Sequence, residues 1–129
     1  MIKLIGTAYK KDGFSTREFF DYWRDTHAAI SAKSGPLRGY VASEIISALP
    51  NPNNPSGEGE IQIDGFVEQW WDDEATFEEA MSSENESGAW EDVLNYAKPT
   101  GQFWVVKEHV YIPPPITGPG SLTNNVWIA

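Results

Sequence analysis

General acid–base chemistry near neutral pH has two candidates in this chain, because His27 and His109 are its only histidines. His27 follows Phe19 and Trp23 at four-residue steps and precedes Ile30, so one helix face carries three apolar groups and an imidazole that points toward a sheet. Such a histidine is either a core residue satisfied by one hydrogen bond or, partly desolvated beside a carboxylate, a poised acid or base. His109 alternates with Val105, Lys107 and Tyr111 along a strand candidate, and either lines a cavity or sits on an exposed face. Asp64 and Glu68 share a strand face. They could pair with Lys or Arg, stay solvated, or orient His27 as a carboxylate–imidazole dyad. Trp70 and Trp71 project to opposite faces, one toward the helices and the other toward an interface or water. Six tryptophans suit a packed core, and they also suit a flat, conjugated ligand. Tyr9, Tyr22 and Tyr40 are possible hydroxyl donors to it.

Other chemistries lack their residues. The chain has no cysteine, which removes disulfides, thiol nucleophiles and thiolate metal sites. Metal binding is poorly supported, since the histidines are far apart and Asp72-Asp73-Glu74 follows a helix-start logic. Gly57 and Gly59 have no following lysine, so no phosphate loop is present, and no Gly-x-Ser-x-Gly occurs. No cofactor is indicated. A formal charge of -10 over 129 residues argues against nucleic acid and anionic membranes as partners. The absence of a membrane-length apolar run or a signal-like amino terminus gives a cytoplasmic, acidic single domain as the expectation.

The elements that must position these residues follow from periodicity. IKLIGTAY (2–9) reads as a strand, and Ser15 three residues before Glu18 is a capping box opening the His27 helix, which Ser34-Gly35-Pro36 closes. A second strand is expected over about 37–49, then a surface loop at 50–60, then a third strand over 61–71. A helix carrying Ala75, Phe77, Ala80 and Met81 follows. A short helix from about Gly88 to Ala97 comes next, with Trp90, Leu94 and Ala97 on a face, and 102–112 is the last strand candidate. This order fits an α+β, ferredoxin-like, four-stranded antiparallel sheet with its helices on one face. The other face would be an apolar patch if left bare. Pro113–Pro115 open a proline- and glycine-rich tail, and its terminal Val126, Trp127 and Ile128 either dock, for instance on a partner subunit, or fray.

FFDYWRDTHAAI (19–30) resembles the F-x-x-x-W-x-x-x-H segment of EthD-like proteins of the dimeric α+β barrel superfamily. IDGFVEQWWDDEATFEEAM (63–81) is similar to that family's D-G-x-x-E-x-W-F motif, and Tyr40 after Gly-Pro-Leu-Arg matches its usual strand opening. The resemblance covers roughly 1–112. It implies a homodimer whose two sheets form a barrel, with a cavity between sheet and helices in each subunit. By motif position it makes His27 the acid–base residue, with Tyr40, Asp64 and Glu68 near or supporting it. The 50–60 loop and the 113–129 tail would lid the cavity or clasp the partner.

Members include decarboxylases and dehydratases of aromatic polyketide pathways and muconolactone-type isomerases. The isomerase branch resembles this chain less at Gln69, where it has cysteine. The leading expectation is therefore a cofactor-independent lyase (decarboxylase or dehydratase) acting on a small aromatic or polyketide-derived molecule. Trp23, Trp70, Trp71 and Tyr40 would hold the ring. An isomerase or cyclase using the same histidine, a cofactor-free oxygenase, a haem relative and a non-catalytic binding protein are the alternatives.

Overall fold

The computed structural model describes residues 1–33 and 35–115. Strand β1 (Ile2–Ala8) leads through the Lys11–Phe14 turn to α1 (Thr16–Tyr22), a π-helical turn (Trp23–His27) and α2 (Ala28–Ser31). Strands β2 (Gly39–Glu44) and β3 (Gly65–Trp71) follow, then α3 (Glu74–Ser87), α4 (Ala89–Tyr96) and β4 (Phe103–Val106). The sheet order is β2-β3-β1-β4, every pair antiparallel, with the helices on one face. This is the expected α+β, ferredoxin-like arrangement.

Local chemistry sets the boundaries. Ser15 Oγ accepts the Glu18 amide at 3.0 Å while Glu18 Oε1 accepts the Ser15 amide at 3.2 Å, the reciprocal pair that opens α1. Asp73 and Thr76 do the same for α3. Gly88 takes a φ of 82° between α3 and α4, a left-handed conformation costly to a side chain. Strands β2 and β4 are shorter than their runs of strand-forming residues, because a strand lasts only as far as its neighbour. β2 loses β3 at the Glu44–Gly65 pair, and β4 reaches Lys3 of β1 at Val106, one residue from the start of β1. Val110, Tyr111 and Ile112 therefore lie outside the sheet and are exposed, as are Ile46, Leu49 and Ile61 in and beside the 50–60 loop. The docking considered for Val126, Trp127 and Ile128 lies outside the described residues. No helix among the described residues is long and apolar enough to cross a membrane.

Two apolar clusters join helices to sheet. In one, Phe19, Trp23, Val67, Tyr96 and Ala97 pack together; in the other, Leu4, Trp71 and Ala80 do. Phe19 is fully buried, with its ring 5.0 Å from Phe20, 5.5 Å from Trp23 and 5.3 Å from Tyr96. Truncating it removes one of the contacts that tie α1 to α4, beside those made by Tyr22. Phe19→Ala should cost about 3–5 kcal/mol in urea unfolding, and near-wild-type stability would contradict this account of the core.

Candidate active site

The His27 helix is not regular. Between Trp23 and His27 it widens into a π-turn, in which the Ala28 amide bonds to the Trp23 carbonyl five residues back. The extra residue resets the helix phase. Phe19, Trp23 and His27 face the sheet as their spacing predicts, but Ser31 rather than Ile30 follows them into the interior, and Ile30 moves to the flank.

His27 meets a carboxylate from α4. Its Nδ1 is 2.9 Å from Asp92 Oδ2, and its Nε2 is 3.5 Å from Ser31 Oγ. His27 and Asp92 are only 6% and 8% exposed. Asp92 Oδ1 also accepts the Tyr22 hydroxyl at 2.7 Å and the Asn95 amide at 3.0 Å. Burial opposes the charge on Asp92, but the hydrogen bonds from Tyr22, Asn95 and His27 outweigh it and hold the carboxyl below its ordinary range. Burial pulls the His27 pKa down more than Asp92 raises it, so it lies below the usual 6.5. At neutral pH a carboxylate thus faces a neutral imidazole. A carboxylate only accepts, so the imidazole proton sits on Nδ1 and Nε2 carries the lone pair.

His27 lines a cavity of about 260 Å³ between sheet and helices. Leu4, Val67 and Gln69 come from the sheet, and Trp23 and Tyr96 from the helices. The Tyr96 ring lies 5.0 Å from the imidazole, and burial pushes its hydroxyl far above the ordinary tyrosine range, so it stays protonated. The rim is apolar and partly exposed. There Trp90 and Phe103 meet edge to face at 5.3 Å, beside Leu94 and a half-exposed Lys98. A cavity of this size and lining suits a molecule of one or two rings. Among the described residues, no three His, Asp or Glu side chains are grouped so as to hold a metal ion.

Of the residues singled out from sequence, His27, Trp23 and Tyr40 line the cavity together, and the Trp23 indole donates to the Tyr40 oxygen at 2.7 Å. Tyr22 stands one layer behind, holding Asp92. The others lie elsewhere. Glu68 and Trp70 sit on the sheet face away from the helices, because they alternate with Val67, Gln69 and Trp71. There Glu68 pairs with Lys3, which also lies 5.0 Å over the Trp70 ring. Asp64 Oδ2 accepts the Lys10 amide at 2.8 Å. The carboxylate beside His27 is therefore Asp92, not Asp64 or Glu68. Trp71 does face the helices, but it packs against Phe77 and does not line the cavity. Tyr9 also does not line the cavity, and its carbonyl accepts the Lys98 amide. His109 lies past the end of β4, exposed and outside the cavity. Sequence reading missed Asp92, Ser31 and Tyr96. A signal existed, because Ala89, Asp92, Val93 and Tyr96 recur at three- and four-residue steps, which puts one acid on an apolar stripe.

Fold and site together define a small α+β protein with a buried histidine–carboxylate pair at the wall of an apolar cavity. The chain belongs to the EthD domain family, whose model matches residues 11–100. Among solved structures it is similar to an EthD family protein from Bacillus halodurans, at 23% identity and a TM-score of 0.61, covering 84% of this chain and 99% of that one. A protein from Arabidopsis thaliana matches at 14% identity and a TM-score of 0.59, covering 91% and 99%. An uncharacterised NIPSNAP domain protein from Burkholderia xenovorans matches at 14% and 0.53, covering 88% and 100%. These likenesses show the fold. No curated protein matches the sequence.

The depressed His27 pKa makes stability depend on pH with a definite sign. Below 6.5 the unfolded chain takes up a proton that the folded imidazole does not, so stability is lost as pH falls toward the folded pKa and is complete above 6.5. The contribution can reach about 1.4 kcal/mol per pH unit. Denaturant titrations between pH 7 and 5 should show this slope in the wild type and a shallower one in His27→Gln. An unchanged slope in the variant would contradict the assignment.

Proposed function

We propose that the protein is a cofactor-independent lyase that removes water from a small aromatic or polyketide-derived molecule, with His27 as its acid–base residue. One observation carries this reading: His27, held by Asp92 through Nδ1 and with Nε2 beside Ser31 Oγ, lines an apolar cavity, and burial favours its neutral form, whose Nε2 is then the bare nitrogen. Such a group begins a reaction by taking a proton. Nε2 accepts a proton from a carbon next to a carbonyl, and the conjugated substrate spreads the resulting charge. The imidazolium then returns that proton to the leaving hydroxyl, a carbon–carbon double bond forms, water departs and the imidazole is restored. Decarboxylation is served less well, because loss of carbon dioxide leaves a carbanion that must be given a proton, and a bare Nε2 that has abstracted none has none to give. An isomerase would share the first step and return the proton to another carbon of the same molecule.

Asp92 acts in this scheme as a positioning residue, fixing the tautomer and stabilising the transient imidazolium. Aromatic β-hydroxy ketones and related polyketide acids should lose water on incubation, as read by mass spectrometry. Asp92→Asn should lower turnover by about 10²–10⁴-fold with a small change in KM, and His27→Ala should abolish it. Product of unchanged mass would move the reading to an isomerase. Binding without any conversion, kept by His27→Ala, would leave a carrier.

The uncovered sheet face supports a homodimer. Val41, Phe66, Trp70 and Trp104 share that face, and Trp104 is 47% exposed in the single chain. Covering it with a second copy would bury that area. Sedimentation equilibrium should give a dimer for the wild type and a monomer for Trp104→Glu. A wild-type monomer would contradict this part of the proposal.

A further inference from the structure

We infer that Tyr96 is a second catalytic residue: its hydroxyl donates a hydrogen bond to a carbonyl oxygen of the bound molecule and holds the enolate that forms when His27 removes the neighbouring proton. This inference rests on the reading of His27 as the base. Tyr96 closes α4 and is 4% exposed, yet its hydroxyl has no hydrogen-bond partner among the described residues. The unpartnered side-chain atoms sealed from solvent among those residues are Gln69 Oε1 and Trp71 Nε1. The Tyr96 oxygen is not one of them, so it keeps accessible surface, and Tyr96 lines the cavity, where that surface opens. A buried O–H without an acceptor is a cost to the fold. The cavity is where an acceptor can arrive.

The surroundings make this hydroxyl the available donor. The Tyr22 hydroxyl is spent on Asp92 and the Trp23 indole on Tyr40. The Tyr96 ring is clamped by Phe19 at 5.3 Å, Tyr22 at 5.0 Å and Trp23 at 6.0 Å, with the imidazole 5.0 Å away. A donor fixed in this way needs no reorganisation as charge develops. Burial, and then Tyr40, Asp92 and Tyr22, keep it protonated, so it donates without giving up its proton. In the step, a C–H bond beside the carbonyl breaks and its proton goes to Nε2. Its electron pair forms a carbon–carbon double bond, and the carbonyl π pair moves onto the oxygen that Tyr96 holds. The imidazolium offsets the charge of Asp92, so the enolate oxygen meets a donor. The ligand class is therefore an aromatic ketone with a proton on the adjoining carbon.

The test uses the full chain at pH 7.5 with 2-acetylnaphthalene and with 2-isopropenylnaphthalene, which has a methylene group in place of the carbonyl oxygen. In calorimetric titration the wild type should bind the ketone about threefold to tenfold more tightly. The carbonyl stretch of the bound ketone should lie below its value in hexane. In deuterium oxide the wild type should exchange the acetyl methyl protons. Tyr96→Phe, which keeps the ring, should bind the two probes within about twofold of each other and slow exchange about 10²–10³-fold. His27→Gln should abolish exchange and keep the preference for the ketone. A preference and an exchange rate that survive Tyr96→Phe, or an unshifted carbonyl stretch in the wild type, would overturn this inference and leave the role of His27 standing. A wild type that binds the ketone without exchanging it would overturn both this inference and the reading of His27 as the base. Binding of neither probe would overturn this inference together with the aromatic-site reading.

Discussion

A charged carboxylate and an imidazole can share a protein interior only if each has its hydrogen bonds in place, and the helical layer of this fold is arranged around meeting that demand for Asp92 and His27. Asp92 takes three donors, from Tyr22, His27 and Asn95, which span the first helical segment and α4. The pair therefore fastens the two halves of the helical layer over the sheet. The aromatic stack of Tyr22, Phe19 and Tyr96 closes around it and keeps water out. Desolvation then does chemical work, because it holds the imidazole neutral while its partner stays charged.

The cavity exists because packing is left incomplete at one place. Leu4 belongs to one apolar cluster and Trp23, Val67, Tyr96 and Ala97 to the other, and all five line the space between. The helical π-turn contributes by rotating Ser31 inward under His27, so a small hydroxyl fills the position that a regular helix gives to Ile30. Among the described residues, the void and the buried, unpartnered Gln69 Oε1 and Trp71 Nε1 run against the interest of stability.

The fold was largely legible. The Ser15–Glu18 capping box, the alternation of Val67, Gln69 and Trp71 against Glu68 and Trp70, and the order of elements each correspond to a short-range physical rule that the structure obeys. The motifs at 19–30 and 63–81 carried the family. What was not legible depends on contacts distant in sequence. Strand propensity continues to Leu49 and to Ile112, but strand length is decided by where β3 and β1 end. On α4 the bulky Trp90 and Leu94 suggest the inward stripe, yet they form the exposed rim, and the buried stripe runs through Ala89, Asp92, Val93 and Tyr96. Choosing it required knowing that Asp92 has Tyr22 and His27 to receive it. Likewise, the four-position spacing of Asp64 and Glu68 does not say that the outer face, and not the imidazole, is where Glu68 points.

The account depends on the protonation state of one ring, so nitrogen NMR of His27 at pH 7 tests it most directly. Long-range proton–nitrogen correlation in the full chain should show Nδ1 as the protonated, pyrrole-type nitrogen and Nε2 as the bare, pyridine-type one. Its titration midpoint should fall below the 6.5 of an unperturbed histidine. A proton on Nε2, or an imidazolium at pH 7, would contradict the proposed base and the chemistry built on it.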